Sequence, residues 1–527
     1  MTTACPTGHN TTADLIEDAA QRYAAKTFIH DSGRDLSFET VFMQVQHLAN
    51  ALVARDFRSG DRAAIWAPNC AEWIIAALAI QYVGGTLVTV NTRYKAGEAR
   101  DIIADSGSSV AFVVYEFLGS NYAQELENEN IVGLEHIVAL PAPNSLNETT
   151  YHRWIHEGER APDNQSAQRD TQRLATGPDT VSDILFTSGT TGRAKGVVTT
   201  HGQNIHAFDV FSDILGLDET DHYLIINPFF HSFGYKAGWL AALLRGATVY
   251  PMAVFDVPAV LKAISTHQIS VMPGPPTLFQ SILMHPDRDA FDISSLKKAT
   301  TGAATIPTQL IVAMRETLGI DTVITAYGLS ETCGLVTMCR RGDAPDIIAK
   351  TSGRAIPEVE VGIMRHDGTL APPDETGEIV VRGFNVMQCY FNNEQATSET
   401  IDKHGWLHTG DIGSLDCAGN IRITDRLKDM FISGGFNCYP AEIENQLLNH
   451  DEVAQAAVVG MSDERMGEVS AAFVVRTPKS QLLEADLIDW SRQNMANYKV
   501  PRRIIFTETL PLNASGKVLK TELRAML

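Results

Sequence analysis

The segment TSGTTGRAKGV at 187–197 gathers hydroxyl side chains, glycines and a lysine into one short run. Gly189, Gly192 and Gly196 let the backbone turn tightly and bring N–H groups close to an anion. Thr187, Ser188, Thr190 and Thr191 can donate to phosphate oxygens, and Lys195 adds a fixed positive charge. The spacing is not that of a Walker loop, which separates its glycines more widely and follows the second directly with Lys and then Ser or Thr. A P-loop kinase or ATPase is therefore disfavoured. Taken alone, a Ser/Gly run of this kind reads equally well as a flexible turn. Further along, AYGLSET (326–332) sets Glu331 just past a β-branched run. A carboxylate beside a polyphosphate can hold Mg2+, because that ion takes one or two protein oxygens and completes its shell with phosphate and water. In isolation such a glutamate is a solvated surface charge.

The elements that must position these residues follow from periodicity. From 182 to 331, short β-branched runs alternate with amphipathic helical runs, the pattern of a parallel sheet covered by helices. Strands are expected at 183–187, 222–226, 247–251, 269–272, 297–301 and 322–326, with helices such as 236–244, 258–266 and 307–318. Ligands on such sheets bind at the loops leaving the carboxyl ends of strands. The stretch 157–179 is polar, lacks apolar periodicity and is expected to be an exposed connection inside the large domain. After Gly377 come short strands and glycine-containing turns, the mark of a small β-rich subdomain. Beyond Leu427 a helix from Ala441, strands AQAAVVGM and SAAFVVRT, a helix near 484–494 and a strand near 503–507 make a compact terminal domain. The expected fold is α/β: a large N-terminal domain (1–427) of helix-covered parallel sheets with a small β-rich subdomain, then a small α+β C-terminal domain (428–527).

Bulk properties narrow the partners. A chain of 527 residues exceeds the size at which one core keeps growing. Acidic residues outnumber basic ones 63 to 42, a formal charge of -21, so nucleic acid is disfavoured as a partner and any phosphate ligand must be held by local geometry. The seven cysteines are scattered without zinc spacing, which suits a reduced cytoplasmic setting. The N-terminal residues carry no basic leader with an apolar core, so no signal peptide is expected. The apolar stretch 73–90 is interrupted by Gln81 and Gly84-Gly85 and reads as a buried helix and a buried strand, so no transmembrane segment is expected.

The 187–197 segment resembles the signature phosphate loop of the adenylate-forming superfamily, the acyl-CoA synthetases, luciferases and adenylation domains. More motifs follow in that family's order: NPFFHSFG (227–234), PGPPT (273–277), TGAAT (301–305), AYGLSET (326–332), GWLHTGD (405–411), DRLKDMFISGGFNCYPAEIE (425–444) and NASGKVLK (513–520). The resemblance implies ATP, Mg2+ and coenzyme A as ligands, with a carboxylic acid activated as its adenylate and then passed to the thiol. It implies Glu331 and Thr187 at the metal, and Tyr327 with Ala326 and Gly328 at the adenine. Gly302, Ala303, Ala304 and Thr332 would line the nucleotide and acyl site, and Asp411 and Arg426 would hold the ribose. It makes Lys517 the cation that stabilises charge on the α-phosphate, Lys428 the hinge of a mobile C-terminal domain, and Gly434 and Gly435 the loop where the thiol approaches.

An ionised carboxylic acid needs no strong base in the first step, so His231 is expected to position the carboxylate. The acyl pocket is expected to include Phe233, Gly234, Tyr235, Lys236 and Cys333, with Lys236 the candidate partner for a ketone or second carboxylate. The wording INPFFHSFGYKAG and RITDRLKDM resembles most closely the actinobacterial CoA ligases that activate a bicyclic propanoate left after steroid ring opening. Medium or long fatty acids and aromatic acids remain alternatives. An enzyme loading a carrier protein is disfavoured, because no carrier domain follows Lys517 in this sequence. A homodimer is an open assembly.

Overall fold

The computed structural model describes residues 8–145, 147–187, 194–302, 306–426, 429–433, 436–463, 465–495, 497–512 and 518–527. The chain forms two compact units, one of 1–360 with 381–407 and one of 361–380 with 408–527.

The first unit is built on two large sheets. A seven-stranded sheet runs in the spatial order Cys389–Tyr390, Lys195–Thr200, Val181–Thr187, Thr86–Thr89, Arg62–Trp66, Val110–Val114, His136–Leu140. A nine-stranded sheet runs Arg354–Ala355, Thr337–Met338, Thr322–Tyr327, Lys298–Thr301, Val271–Pro273, His222–Ile225, Thr248–Pro251, Thr27–Asp31, Arg34–Ser37. Most of their strands pair in parallel, with antiparallel pairs at three of the four edges and the parallel pair of Val110–Val114 with His136–Leu140 at the fourth. The expected strands therefore form, but they divide between two sheets: Val181–Thr187 belongs to the first and the others to the second.

The apolar stretch resolves into a helix, Ala71–Tyr82, and the strand Thr86–Thr89, both buried along their whole length. Between them Gly84 adopts φ +72°, and a side chain on Gly85 would meet the Phe57 ring at 2.4 Å, so only glycines make this turn. Among the described residues no helix is long and apolar enough to cross a membrane.

Two expectations are corrected. The polar stretch 157–179 is no simple connection, because it completes one helix, Thr150–Glu159, and contains another, Asp163–Ala175. The second helix lacks an apolar stripe, and arginines anchor it instead. Arg169 is buried, donates to Asn50 Oδ1 at 3.2 Å and pairs with Asp170, while Arg173 pairs with Asp14 and Glu17. Both guanidinium groups lie over the Tyr82 ring at 5.9 Å. The segment expected as one helix at 236–244 begins as a π-helical turn, Tyr235–Leu240, and becomes α-helical only over Ala241–Arg245.

In the second unit, a four-stranded sheet runs Val359–Met364, Gly377–Gly383, Leu407–Leu415, Ile421–Arg426. A five-stranded sheet is centred on the antiparallel pair Val453–Asp463 and Gly467–Arg476, with Arg503–Phe506 parallel to the latter. The helices Pro440–Leu447 and Glu484–Asn494 contribute Ile443, Leu447 and Leu487 to its core. Asp425 Oδ2 accepts from Ala441 N–H at 2.7 Å and so caps the first of these helices.

His201 is fully buried, and its Nδ1 lies 3.2 Å from the Thr12 hydroxyl. Burial pushes its pKa down to about 4, against the opposing pull of Asp183 and Asp14. The unfolded chain therefore binds the proton first as pH falls from the ordinary histidine value of 6.5, so stability present above 6.5 declines towards pH 4 and then levels. Urea unfolding across this window should show that decline, and His201→Gln should flatten it.

Candidate active site

The hydroxyl-rich run leaves and rejoins the sheet at a defined neck. Val181–Thr187 and Lys195–Thr200 are antiparallel, with Thr187 directly opposite Lys195. The Thr187 hydroxyl donates to the Lys195 carbonyl at 3.3 Å. Ser188, Gly189, Thr190, Thr191 and Gly192 lie outside the described residues, as do Ala303, Ala304, Lys428, Gly434, Gly435 and Lys517. The strand Lys195–Thr200 was not foreseen, and it holds the lysine of the neck in ladder register.

A residue absent from the sequence reading joins this neck to the acidic segment. Tyr390 sits in the two-residue strand Cys389–Tyr390, which pairs antiparallel with Lys195–Thr200 through Tyr390 opposite Val197. Its ring lies beneath the Lys195 ammonium, 4.8 Å from the centroid, and its hydroxyl donates to Glu331 Oε1 at 2.8 Å. Burial, reinforced by the Glu331 charge, raises the phenol's pKa well above its ordinary value, so it stays a donor. The Met387 N–H donates to the Glu331 carbonyl at 2.8 Å and fixes the same loop from its backbone. A tyrosine in so short a strand has no periodicity to mark it, and only its placement beside Glu331 identifies it.

Glu331 lies in the short 3-10 turn Ser330–Thr332 that follows the strand Thr322–Tyr327. Thr332 is buried, and its hydroxyl donates to the Leu329 carbonyl at 3.0 Å. Gly328 has no room for a side chain, since a Cβ would fall 2.2 Å from the Gly334 carbonyl. At Gly302 an added Cβ would meet, among the described residues, only the Ala326 carbonyl, at 3.7 Å. Among the described residues no group of three or more His, Cys, Asp and Glu could hold a metal. A single carboxylate such as Glu331 is compatible with Mg2+, which takes one or two protein oxygens and completes its shell with phosphate and water.

His231 caps the short helix Ser232–Gly234, its Nδ1 accepting from Phe233 N–H at 3.2 Å. Gly234 packs so tightly that a Cβ would fall 2.2 Å from the Asn227 carbonyl, which fixes the course of the chain after the histidine. Tyr235 and Lys236 do not present themselves as expected. The Lys236 ammonium, 1% exposed, is committed to Asp183 at 3.0 Å and to the Thr199 hydroxyl at 2.9 Å, so it cannot serve a ketone or carboxylate of a substrate as proposed from sequence. Tyr235 stacks on Trp239 and accepts from Gln81 Nε2 at 2.8 Å. Cys333 is buried beside them, and burial pushes its thiol up to about 12.

In the second unit, Asp411 is buried and stands opposite Arg426 in the ladder between Leu407–Leu415 and Ile421–Arg426. The preceding Gly410 N–H donates to Glu378 Oε1 at 3.1 Å, which shapes the turn that presents the aspartate. Near the C-terminus Lys499 is paired with Glu442, while Arg502 and Arg503 are exposed. A cleft of about 1630 Å³ in the first unit is lined by loops that include Asp31, Arg34 and Glu72 and by none of the candidate site residues.

Comparison with known proteins identifies the family to which this fold belongs. The family described as AMP-binding enzyme matches residues 16–391, and the AMP-binding enzyme C-terminal domain matches 442–517. A 3-[(3aS,4S,7aS)-7a-methyl-1,5-dioxo-octahydro-1H-inden-4-yl]propanoyl:CoA ligase of Rhodococcus jostii is 46% identical over 98% of both chains. The Mycobacterium tuberculosis ligase of the same description is 47% identical over 91% of both. Among solved structures, o-succinylbenzoate CoA synthetase of Bacillus subtilis with its acyl-adenylate intermediate superposes with a TM-score of 0.82, at 30% identity and over 97% of each chain.

If Tyr390 holds Glu331 for a metal–nucleotide ligand, Tyr390→Phe should weaken ATP binding about ten- to a hundredfold by calorimetry, the worth of one hydrogen bond to a charged group.

Proposed function

Because the chain belongs to the AMP-binding enzyme family, as an AMP-forming acyl-CoA ligase, we propose that its acid is a steroid-derived bicyclic propanoate, joined to coenzyme A through an acyl-adenylate. The observation that carries the reaction class is the assembly of Thr187, Lys195, Tyr390 and Glu331 at one neck. The choice of acid is supported by two ligases of one description, each nearly half identical to this chain over almost its whole length.

On this reading each of the chain's own groups takes a role. The backbone and hydroxyls of 187–192 receive the phosphates, and Lys195, held over the Tyr390 ring, offsets their charge. Glu331, oriented by the Tyr390 hydroxyl, would hold Mg2+ with Thr187, and that ion would neutralise phosphate charge. The adenine lies against Tyr327 in the space beside Gly302, with Ala326 and Gly328 at its edge. Asp411 accepts from the ribose hydroxyls, and Arg426 stands beside it in the ladder.

His231 acts without proton abstraction. Because its Nδ1 accepts from Phe233 N–H, the neutral ring carries its proton on Nε2, the nitrogen that would donate to the acid's carboxylate. The acid oxygen then attacks the α-phosphorus, pyrophosphate leaves, and Lys517 stabilises the charge that builds on the non-bridging oxygens, an effect of about 3 to 4 kcal/mol for one donor. A turn of the C-terminal domain about Lys428 would bring Gly434 and Gly435 to the acyl carbonyl, where the coenzyme A thiolate forms the thioester and AMP leaves. The free state of the six described cysteines is in keeping with a cytoplasmic setting for this reaction.

A pyrophosphate-release panel of the bicyclic dione propanoate, fatty acids and aromatic acids tests the proposal. Release should be greatest with the bicyclic acid, and thioester should form only when coenzyme A is added; preference for a plain fatty acid would refute the substrate. Lys517→Ala should lower acyl-adenylate formation from acid and ATP by about a hundredfold or more while largely sparing thioester formation from preformed adenylate. Equal loss in both half-reactions would count against the moving lysine.

A further inference from the structure

Beneath the site lies a buried ion pair that the mechanism does not use. Asp183 is fully buried in the strand that ends at Thr187, and Lys236 is buried in the π-helical turn that follows the His231 cap. Their charged atoms are 3.0 Å apart. The Thr199 hydroxyl bridges them, donating to Asp183 Oδ1 at 2.8 Å and accepting from Lys236 Nζ at 2.9 Å. Ser182 Oγ and Asn204 Nδ2 donate to the other carboxylate oxygen at 2.6 and 2.5 Å.

Two facts set this pair apart from ordinary packing. Removing both charges from water costs several kcal/mol each, and well-packed apolar residues of similar volume would often be as stable. A π-helical turn is also a rare departure from α-helical geometry, found mostly as a single turn and frequently at functional sites. Here the turn and the charge coincide, since Lys236 is its second residue. The two partners also sit on the two segments whose spacing matters most: one continues to Thr187, the other comes directly from His231.

We propose that the Asp183–Lys236 pair is a positioning device for the acid substrate, pinning the π-helical turn to the phosphate-side strand so that His231 and Thr187 keep a fixed separation. This rests on the acyl-adenylate reading above. Neither residue touches substrate. The pair acts by holding the wall of the acyl pocket in one register, so its loss falls on recognition of the acid more than on recognition of ATP.

The test is steady-state kinetics of the full chain with the bicyclic dione propanoate, alongside thermal unfolding. Asp183→Asn and Lys236→Met, each alone, leave an uncompensated buried charge or an unmet partner and should lower the unfolding midpoint. Combined, they leave no buried charge. The double variant should regain most of the midpoint yet raise KM for the acid about tenfold, with KM for ATP within about twofold of the unaltered chain. Lys236→Arg, which keeps the charge, should restore much of the acid KM. Thr199→Val keeps both charges and removes only the bridge, and should raise the acid KM about threefold even if the double variant does not fold. An unchanged acid KM in Thr199→Val or the double variant, or equal rises for acid and ATP, would overturn the inference alone. Absence of acid-dependent ATP–pyrophosphate exchange in the unaltered chain would overturn the functional reading, and the inference with it.

Discussion

A chain with a formal charge of -21 can hold a polyphosphate only where a few donors are fixed against its own field. On the proposed reading that place is the neck of one antiparallel hairpin set into an otherwise largely parallel sheet. Tyr390 makes it work by serving both signs at once, with its face to the Lys195 ammonium and its hydroxyl to the Glu331 carboxylate. Lysine and carboxylate are thereby both oriented by the tyrosine. The strands on either side, the capped turn at His231 and the tight glycines at 234 and 328 all keep that arrangement in register.

Much of this was legible in the sequence because it depends on local chemistry. β-branched runs gave the strands at Val181–Thr187, His222–Ile225 and Thr322–Tyr327, and the glycine pair at 84–85 marked where a buried helix yields to a buried strand. The terminal helix Glu484–Asn494 appeared with its expected bounds. The motif order gave the family, and with it the neck's Thr187 and Lys195.

What the sequence hid depends on long-range partners. The helix Asp163–Ala175 has no apolar stripe because Arg169 and Arg173 reach Asn50, Asp14 and Glu17, contacts more than a hundred residues away in the chain that no periodicity can signal. Lys236 looked like a pocket residue because it follows the histidine motif, yet the π-helical turn sends its ammonium inward to Asp183. Tyr390 carries no spacing signal, and its role emerges only when the strand Cys389–Tyr390 is laid against Lys195–Thr200. In each case the missing information was which distant group stands opposite.

The central claim is that Glu331, held by Tyr390, marks the metal side of a nucleotide bound at the Thr187–Lys195 neck. Crystals of the full chain grown with Mn2+ and a non-hydrolysable ATP analogue test it most directly, through the anomalous signal of the metal. The account predicts a peak within about 2.2 Å of a Glu331 carboxylate oxygen, with phosphate density over the hairpin neck. A metal and triphosphate bound away from Glu331 and Lys195 would contradict it.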